Sequence, residues 1–266
     1  MSRIYKVTGI NLKSIPLGEG DRLLTILTPE QGVVKAVAPG ARKYQSQLRG
    51  RTDLFVVNQL VIAKGRSLDK ITQAEIITSY QGLSNNLGKL AAGQYLAELT
   101  LALALSEQPQ AEIYQLLREH LTRLEQLDNQ ESCLPCLTQG LFHLLAIGGI
   151  APRVKDCCVT QEILEPRLNQ KNWQAGFSFD GGGIISLTNP SSLKIDKQID
   201  AVELTLLQQL NTPTLPPISS IFTDSISPTT VNEAWVNIER LLRNYTQYHL
   251  GRTIRSATLI DSLSPV

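Results

Sequence analysis

The stretch Gly18-Glu-Gly-Asp-Arg-Leu-Leu-Thr-Ile-Leu-Thr-Pro-Glu-Gln-Gly-Val-Val-Lys-Ala-Val37 decides the fold of the N-terminal part. Gly18 to Asp21 is a cluster of turn residues, and Arg22–Thr28 and Val33–Val37 are apolar, β-branched runs. Pro29-Glu-Gln-Gly32 between them has the chemistry of a hairpin turn, so the two runs read as paired strands. Working outward, Tyr5–Leu12 alternates imperfectly. Phe55–Ala63 and Ile71–Thr78 supply two more strands around a loop with Gly65 and Asp69. Five short strands with Gly-marked turns predict a small closed barrel over residues 1–80, because closure removes the sheet edges that invite aggregation. A sandwich would usually need more strands.

Beyond residue 80 the period changes from two to that of a helix. Leu83–Ser106 carries Leu87, Leu90, Ala91, Leu96, Leu99 and Leu103, and Ala111–Leu127 repeats the pattern. Leu137–Ile147 reads as a third helix, closed by Gly148, Gly149 and Pro152. Residues 153–198 show Gly181-Gly-Gly183 and little period, which predicts an irregular insertion. Val202–Leu210 is a short helix, and residues 211–229, with four prolines among Ser and Thr, read as a linker or surface loop. Val231–Leu250 is the last strong helix, with Trp235, Ile238, Leu241, Leu242, Tyr245 and Tyr248 on one side. The expected architecture is α+β and multidomain, a barrel at 1–80 followed by a helical domain at 81–266.

Hydrophobic residues make up 42% and charged residues 18% of the 266, which describes an ordinary globular chain rather than a disordered one. The longest apolar runs, Leu101–Leu105 and Gly140–Ile150, cannot span a bilayer. Met1-Ser-Arg-Ile-Tyr-Lys6 lacks a signal-like apolar stretch, and four cysteines without a signal suggest reduced thiols in a cytoplasm. The net charge of +1 conceals an asymmetry. Residues 1–80 hold 12 Lys/Arg against 6 Asp/Glu, a balance of +6, and the remainder is −5. A basic domain joined to an acidic one suggests a polyanion on the first.

The segment between Glu30 and Asp53 carries Lys35, Arg42, Lys43, Arg49 and Arg51 and no acidic residue. Pro39, Gly40 and Gly50 place much of it in a loop, where long cations can track a phosphate backbone; Lys64 and Arg66 add two charges at the next turn. Such contacts release counterions and give salt-sensitive, sequence-tolerant binding. A solvated basic face is the alternative. Tyr5, Tyr44 and Phe55 are the aromatic candidates here, with Phe55 read as core, and their scarcity favours backbone recognition over base reading.

Other chemistry is weakly signalled. Cys133-x-x-Cys136 and the adjacent Cys157-Cys158 lack the two-knuckle spacing of a structural zinc site, so no metal or other cofactor is expected. His120, His143 and His249 are scattered, and Gly181-Gly-Gly183 lacks the context of a dinucleotide loop. Nothing assembles a nucleophile, a base and an orienter, which disfavours catalysis.

The chain resembles the RecO recombination mediator family. The carriers are Gly18–Thr28, Gly32, Ala41-Arg-Lys43, Leu48-Arg-Gly50, Gly65-Arg-Ser-Leu-Asp69 and Ile71-Thr-Gln-Ala-Glu75. Leu144–Pro152 and Tyr248-His-Leu-Gly-Arg-Thr-Ile-Arg-Ser256 follow in order. The resemblance implies an N-terminal OB fold, a helical middle domain and a small zinc-ribbon-like insertion. It implies strand annealing and loading of RecA onto strands coated by single-strand-binding protein, with RecR as a partner. It further implies binding to single-stranded and double-stranded DNA, and a cytoplasmic, nucleoid-associated place in a bacterial cell. Lys35, Arg42, Lys43, Arg49 and Arg51 would then belong to the DNA-binding surface, with Lys64 and Arg66 beside them. Many relatives carry two Cys-x-x-Cys pairs in the insertion. Here the first is reduced to Cys157-Cys-Val-Thr160 and the second is replaced by Gly183-Ile-Ile-Ser-Leu-Thr-Asn189, so the ribbon is expected to persist without metal. The acidic helical domain would offer a groove to an acidic-apolar tail, with Lys89, Arg118 and Arg123 as candidate cations. A protein-binding scaffold and an RNA-binding barrel are the alternative readings.

Overall fold

A computed structural model describes residues 4–188, 192–222 and 226–263. Residues 1–3, Asn189 and residues 223–225 of the proline-rich stretch, all part of the reading above, lie outside the described residues.

Five strands, β1 (Ile4–Leu17), β2 (Asp21–Thr28), β3 (Gly32–Ala38), β4 (Val56–Ala63) and β5 (Asp69–Ser79), close into a barrel in the order β1-β2-β3-β5-β4. β1 runs to Leu17, beyond the expected end at Leu12, because it serves two partners. Ile4–Ile10 pair with β4 and Ile10–Leu17 with β2. An irregularity between Asn11 and Lys13 lets the strand turn from one neighbour to the other. A two-rung parallel contact, Ala36↔Asp69 and Val37↔Lys70, completes the closure. Alternate residues point inward, and Val7, Leu24, Ile26, Ala36, Leu60 and Ile62 form the buried interior.

Helices α1 (Leu87–Leu103) and α2 (Ala111–Gln126) fold with the barrel into a compact unit spanning Met1–Glu131. The β2–β3 hairpin is docked through backbone. Val33 N–H donates to Leu105 O at 2.9 Å and Gln110 N–H to Pro29 O at 2.9 Å. Gly32 sits at φ +65°, and a Cβ there would lie 2.0 Å from Leu105 O. Only glycine satisfies both the left-handed backbone and that close approach. Phe55, at φ 61° and fully buried, packs on Gly93 of α1.

The second unit, Ser132–Val266, contains α3 (Leu134–Ile147), β6 (Gln174–Ser178), β7 (Gly183–Ile185), β8 (Lys197–Asp200), α4 (Ala201–Gln209), α5 (Ile218–Ile221), α6 (Pro228–Leu250) and α7 (Ala257–Leu263). The insertion expected to be irregular holds a three-stranded sheet in the order β7-β6-β8. Strands of three to five residues are too short to show a period, so the sequence pattern missed them. Gly183 permits the close approach of the segment at Arg153, which bridges it in parallel, since a Cβ would fall 2.2 Å from Arg153 O. α3 and α4 pack on α6, whose Trp235, Ile238, Leu242 and Tyr245 are buried. Tyr248, expected on that apolar side, is 53% exposed because it lies at the helix end, beyond the packed turns. The one-sided pattern overreached by a turn.

Arg243 of α6 bridges two carboxylates. It donates to Glu239 at 2.6 and 3.1 Å and to Asp261 of α7 at 2.6 and 2.8 Å. Glu239 is almost fully buried. No helix among the described residues is long and apolar enough to cross a membrane.

Three outcomes are expected. Gly32→Ala should lower the urea midpoint by the equivalent of about 2 kcal/mol or more, without loss of secondary structure. Arg243→Ala should cost the second unit about 3 kcal/mol by leaving Glu239 without its guanidinium. Hydrogen bonds from Arg243 hold Asp261 below the usual carboxylate range. Its contribution is therefore complete above about pH 4 and lost as the pH falls through the lower folded value. Thermal midpoints measured between neutral and acid pH should accordingly fall less steeply for Asp261→Asn than for the parent.

Candidate nucleic-acid interface

The loop between Ala38 and Val56 satisfies its own backbone, which lets its side chains face solvent. Lys43 N–H donates to Gly40 O at 2.9 Å, Ser46 to Lys43 at 3.1 Å, Arg49 to Ser46 at 3.2 Å and Thr52 to Arg49 at 3.3 Å. A tight turn recurs every three residues and ends in the 3-10 segment Gly50–Thr52. Ala41 and Leu48 pack on the barrel's interior cluster. Two buried side chains then pin the returning limb. Asn11 Nδ2 donates to Arg51 O at 2.8 Å and to Asp53 O at 3.0 Å, and Asn58 Nδ2 donates to Arg51 O at 2.9 Å. Phe55 completes the clamp, its N–H donating to Asn11 O and its carbonyl accepting from Tyr80 N–H.

The first limb is tied to the β1–β2 turn. Arg42 N–H donates to Gly20 O at 2.9 Å, its guanidinium donates to Gly18 O at 2.7 Å, and Asp21 accepts from Gly40 N–H at 2.7 Å. Lys43 lies along Gly20. Arg42, Lys43 and Arg49 are exposed, and Arg51 is half-buried. The Arg49 guanidinium stands 5.7 Å from the Tyr44 ring centre, and Tyr44 is 87% exposed. Lys35 projects from β3 next to Ala36, which pairs with Asp69 at the start of β5. The turn carrying Lys64 and Arg66 thus enters β5 beside Lys35. The structure gathers Arg42, Lys43, Arg49 and Arg51 on one loop and sets Lys35, Lys64 and Arg66 along the β3–β5 seam.

The neighbouring carboxylates are occupied elsewhere. Asp53 pairs with Arg22 at 3.0 Å, and Asp69 accepts from the Tyr5 hydroxyl at 2.6 Å and from Gly65 N–H at 3.1 Å. None of the seven cations makes an ion pair among the described residues. Burial, together with the bond to Asp69, raises the Tyr5 hydroxyl above its ordinary range, and that bond holds its ring in place, so Tyr5 is not a stacking platform. Phe55 is core, as the sequence suggested. Tyr44 alone of the three aromatics stands open.

The cations proposed for a groove in the helical part are used internally. Lys89 is buried, and its ammonium caps the C-terminal end of α2 by donating to Glu125 O at 3.2 Å and to Leu127 O. Arg118 donates to the Tyr80 hydroxyl at 3.2 Å and lies over the Tyr114 ring, and Arg123 pairs with Glu119. Each is held by a partner that helical periodicity alone could not reveal. Sequence reasoning also missed an open groove of about 460 Å³ beside the basic loop, with Lys6, Gln47, Arg51, Gln59, Gln73 and Glu75 in its walls. The available signal was the outward parity of Gln59, Gln73 and Glu75 on their strands.

Comparison with known proteins gives this rim a context. A model for the N-terminal part of recombination protein O matches residues 1–80, and one for its C-terminal part matches residues 84–258. The DNA repair protein RecO of Gloeothece citriformis is 53% identical over 281 residues, covering 100% of this chain and 99% of the relative. Those of Trichodesmium erythraeum and Synechocystis are 53% and 45% identical, each over at least 98% of both chains. The chain belongs to the RecO family. RecO membership assigns it a role in DNA repair and recombination, and all seven cations fall within the part matched by the N-terminal RecO model.

Backbone hydrogen bonds organise the cysteine turn in the insertion of this RecO chain. No group of three or more His, Cys, Asp or Glu side chains is placed to hold a metal ion among the described residues. Burial pushes the Cys157 thiol up, but hydrogen bonds from Thr160, Ser186 and Val159 outweigh it and leave the thiol below its ordinary range. Cys158 N–H donates to Ile184 O at 2.8 Å, tying the turn to β7. Burial raises the Cys158 thiol despite the opposing charge of Arg153. Cys157 N–H likewise donates to Glu162 O at 2.9 Å.

Two measurements check this arrangement. Asn11→Ala removes one donor from the Arg51 carbonyl and should cost about 1–3 kcal/mol, with faster amide exchange across residues 49–54. Added zinc or a chelator should leave the thermal midpoint unchanged, whereas a metal-bearing ribbon would shift it.

Proposed function

We propose that this RecO-family chain is a recombination mediator, not a catalyst. It would hold DNA along the cation-dense rim, anneal complementary strands and assist the loading of RecA on strands coated by single-strand-binding protein. The observation that carries the reading is the rim itself, seven cations on a barrel, none of them in an ion pair among the described residues, in a family of DNA repair proteins. The strand order β1-β2-β3-β5-β4, closed through a parallel β3–β5 contact, supports assignment of the barrel as an OB fold. Lys35, Arg42, Lys43, Arg49, Arg51, Lys64 and Arg66 are the proposed phosphate contacts. On this reading residues 1–80 are the nucleic-acid-binding domain and 81–266 the helical domain, with α1 and α2 packed on the barrel in the compact unit Met1–Glu131.

The mechanism is electrostatic. Two complementary strands repel one another through their phosphates; a fixed row of cations displaces condensed counterions from one strand and lowers the repulsion that the second must overcome. A loop held by backbone hydrogen bonds presents those cations without ordering a flexible segment at the moment of binding. The helical unit would serve the protein partners, RecR and the acidic tail of single-strand-binding protein. The sheet of the insertion is read as a ribbon that keeps its shape without metal. Action on coated strands also implies a cytoplasmic, nucleoid-associated protein.

Lys43→Ala with Arg49→Ala should weaken binding of single strands of any sequence alike, and each lost phosphate contact should flatten the slope of log affinity against log salt by about 0.7. Titration of labelled oligonucleotides over a salt series reads this directly; an unchanged slope would remove the loop from the interface. Duplex and RNA titrated alongside define the strand preference. The same double variant should anneal coated complementary strands more slowly than the parent.

A further inference from the structure

We infer that the groove beside the basic loop is a base pocket, a site that takes the unpaired base of a single strand whose phosphates lie on the rim. The inference rests on the DNA-binding reading and adds to it a contact that a duplex cannot make.

Strand register builds the pocket. Lys6 pairs with Val61, and Val61 with Gln73, so these three side chains form one rung across the outer face of β1, β4 and β5. Gln59, paired with Glu75, forms the next rung on that face, about 7 Å along the strands. The loop supplies the opposite wall through Gln47, Leu48 and Arg51, and the enclosed space is about 460 Å³. That is room for a nucleobase and its sugar.

The lining suits a base more than a phosphate. Val61 and Leu48, both half-buried, give apolar surfaces that a planar ring could lie against. Gln47, Gln59 and Gln73 each present an amide donor and an amide acceptor, the pairing that the edge of a base requires. Glu75 accepts only, which suits a ring N–H or an exocyclic amine and disfavours a phosphate in that corner. Lys6 and Arg51 lie at the same groove, where the backbone charge of an entering nucleotide would be met. Arg51 Nη1 donates to Gln47 O, which links two residues of this wall.

In a duplex the Watson–Crick edges are paired and the bases stacked, so the pocket would fill only from a single strand. Base contact would then add to phosphate contact without changing the salt dependence. The test uses the full chain, an oligodeoxythymidylate and an abasic strand of equal length and charge, at one fixed salt concentration. The parent should bind the base-bearing strand about fivefold to tenfold more tightly than the abasic one. Gln59→Ala with Gln73→Ala, both at exposed positions, should reduce that ratio to near one while leaving the abasic affinity unchanged. Equal binding of the two strands by the parent, or full discrimination by the double variant, overturns the base pocket and leaves the phosphate rim standing. If neither strand associates even in dilute buffer, the DNA-binding reading falls and the pocket falls with it.

Discussion

Two asparagine amides converging on one carbonyl hold the candidate interface together. Asn11, at the point where β1 passes from one partner strand to the other, and Asn58, near the start of β4, both donate to Arg51 O. Both residues are fully buried, so the contacts form in a low-dielectric setting where an unpaired carbonyl would be costly. Their effect is to fasten the returning limb of the loop, whose Ala41 and Leu48 also pack on the barrel's interior cluster. Arg49 and Arg51 are thereby displayed from a fixed backbone, and Arg42 gains a second anchor on Gly18 and Gly20.

The same economy governs the charges. The basic stretch of residues 1–80 contains six carboxylates, enough to mask much of a positive surface. Asp21, Asp53 and Asp69 are instead turned onto a backbone N–H, Arg22 and the Tyr5 hydroxyl. They stabilise the turns that shape the rim and leave its cations unpaired. In the acidic remainder Lys89, Arg118, Arg123 and Arg243 are held by internal partners.

Much of this was legible in the sequence. Pro29–Gly32 marked the β2–β3 hairpin, and the strand and helix runs were placed to within a few residues, because each has a clear period and a clear stop. β1 was cut short at Leu12, since a strand that changes partner also changes its inward parity and loses alternation. The sheet of the insertion escaped notice because Gly183–Ile185 is too brief to carry a pattern. For the site, the acid-free run from Gln31 to Thr52 located the basic loop, but composition could not say that Tyr5 is tied down while Tyr44 is open. Nor could it show that Lys89 is a helix cap. Those distinctions depend on contacts 36 to 64 residues apart, beyond the reach of any local reading.

The central claim is that the loop held by Asn11 and Asn58 is the surface that meets DNA. Covalent labelling of exposed side chains, read by mass spectrometry with and without a single-stranded oligonucleotide, tests it at residue resolution. Protection is expected at Lys43, Tyr44 and Arg49 and along the seam at Lys35, Lys64 and Arg66, with the exposed positions of the second unit unchanged. Protection confined to the second unit, with the loop as reactive in the complex as in the free protein, would contradict the account.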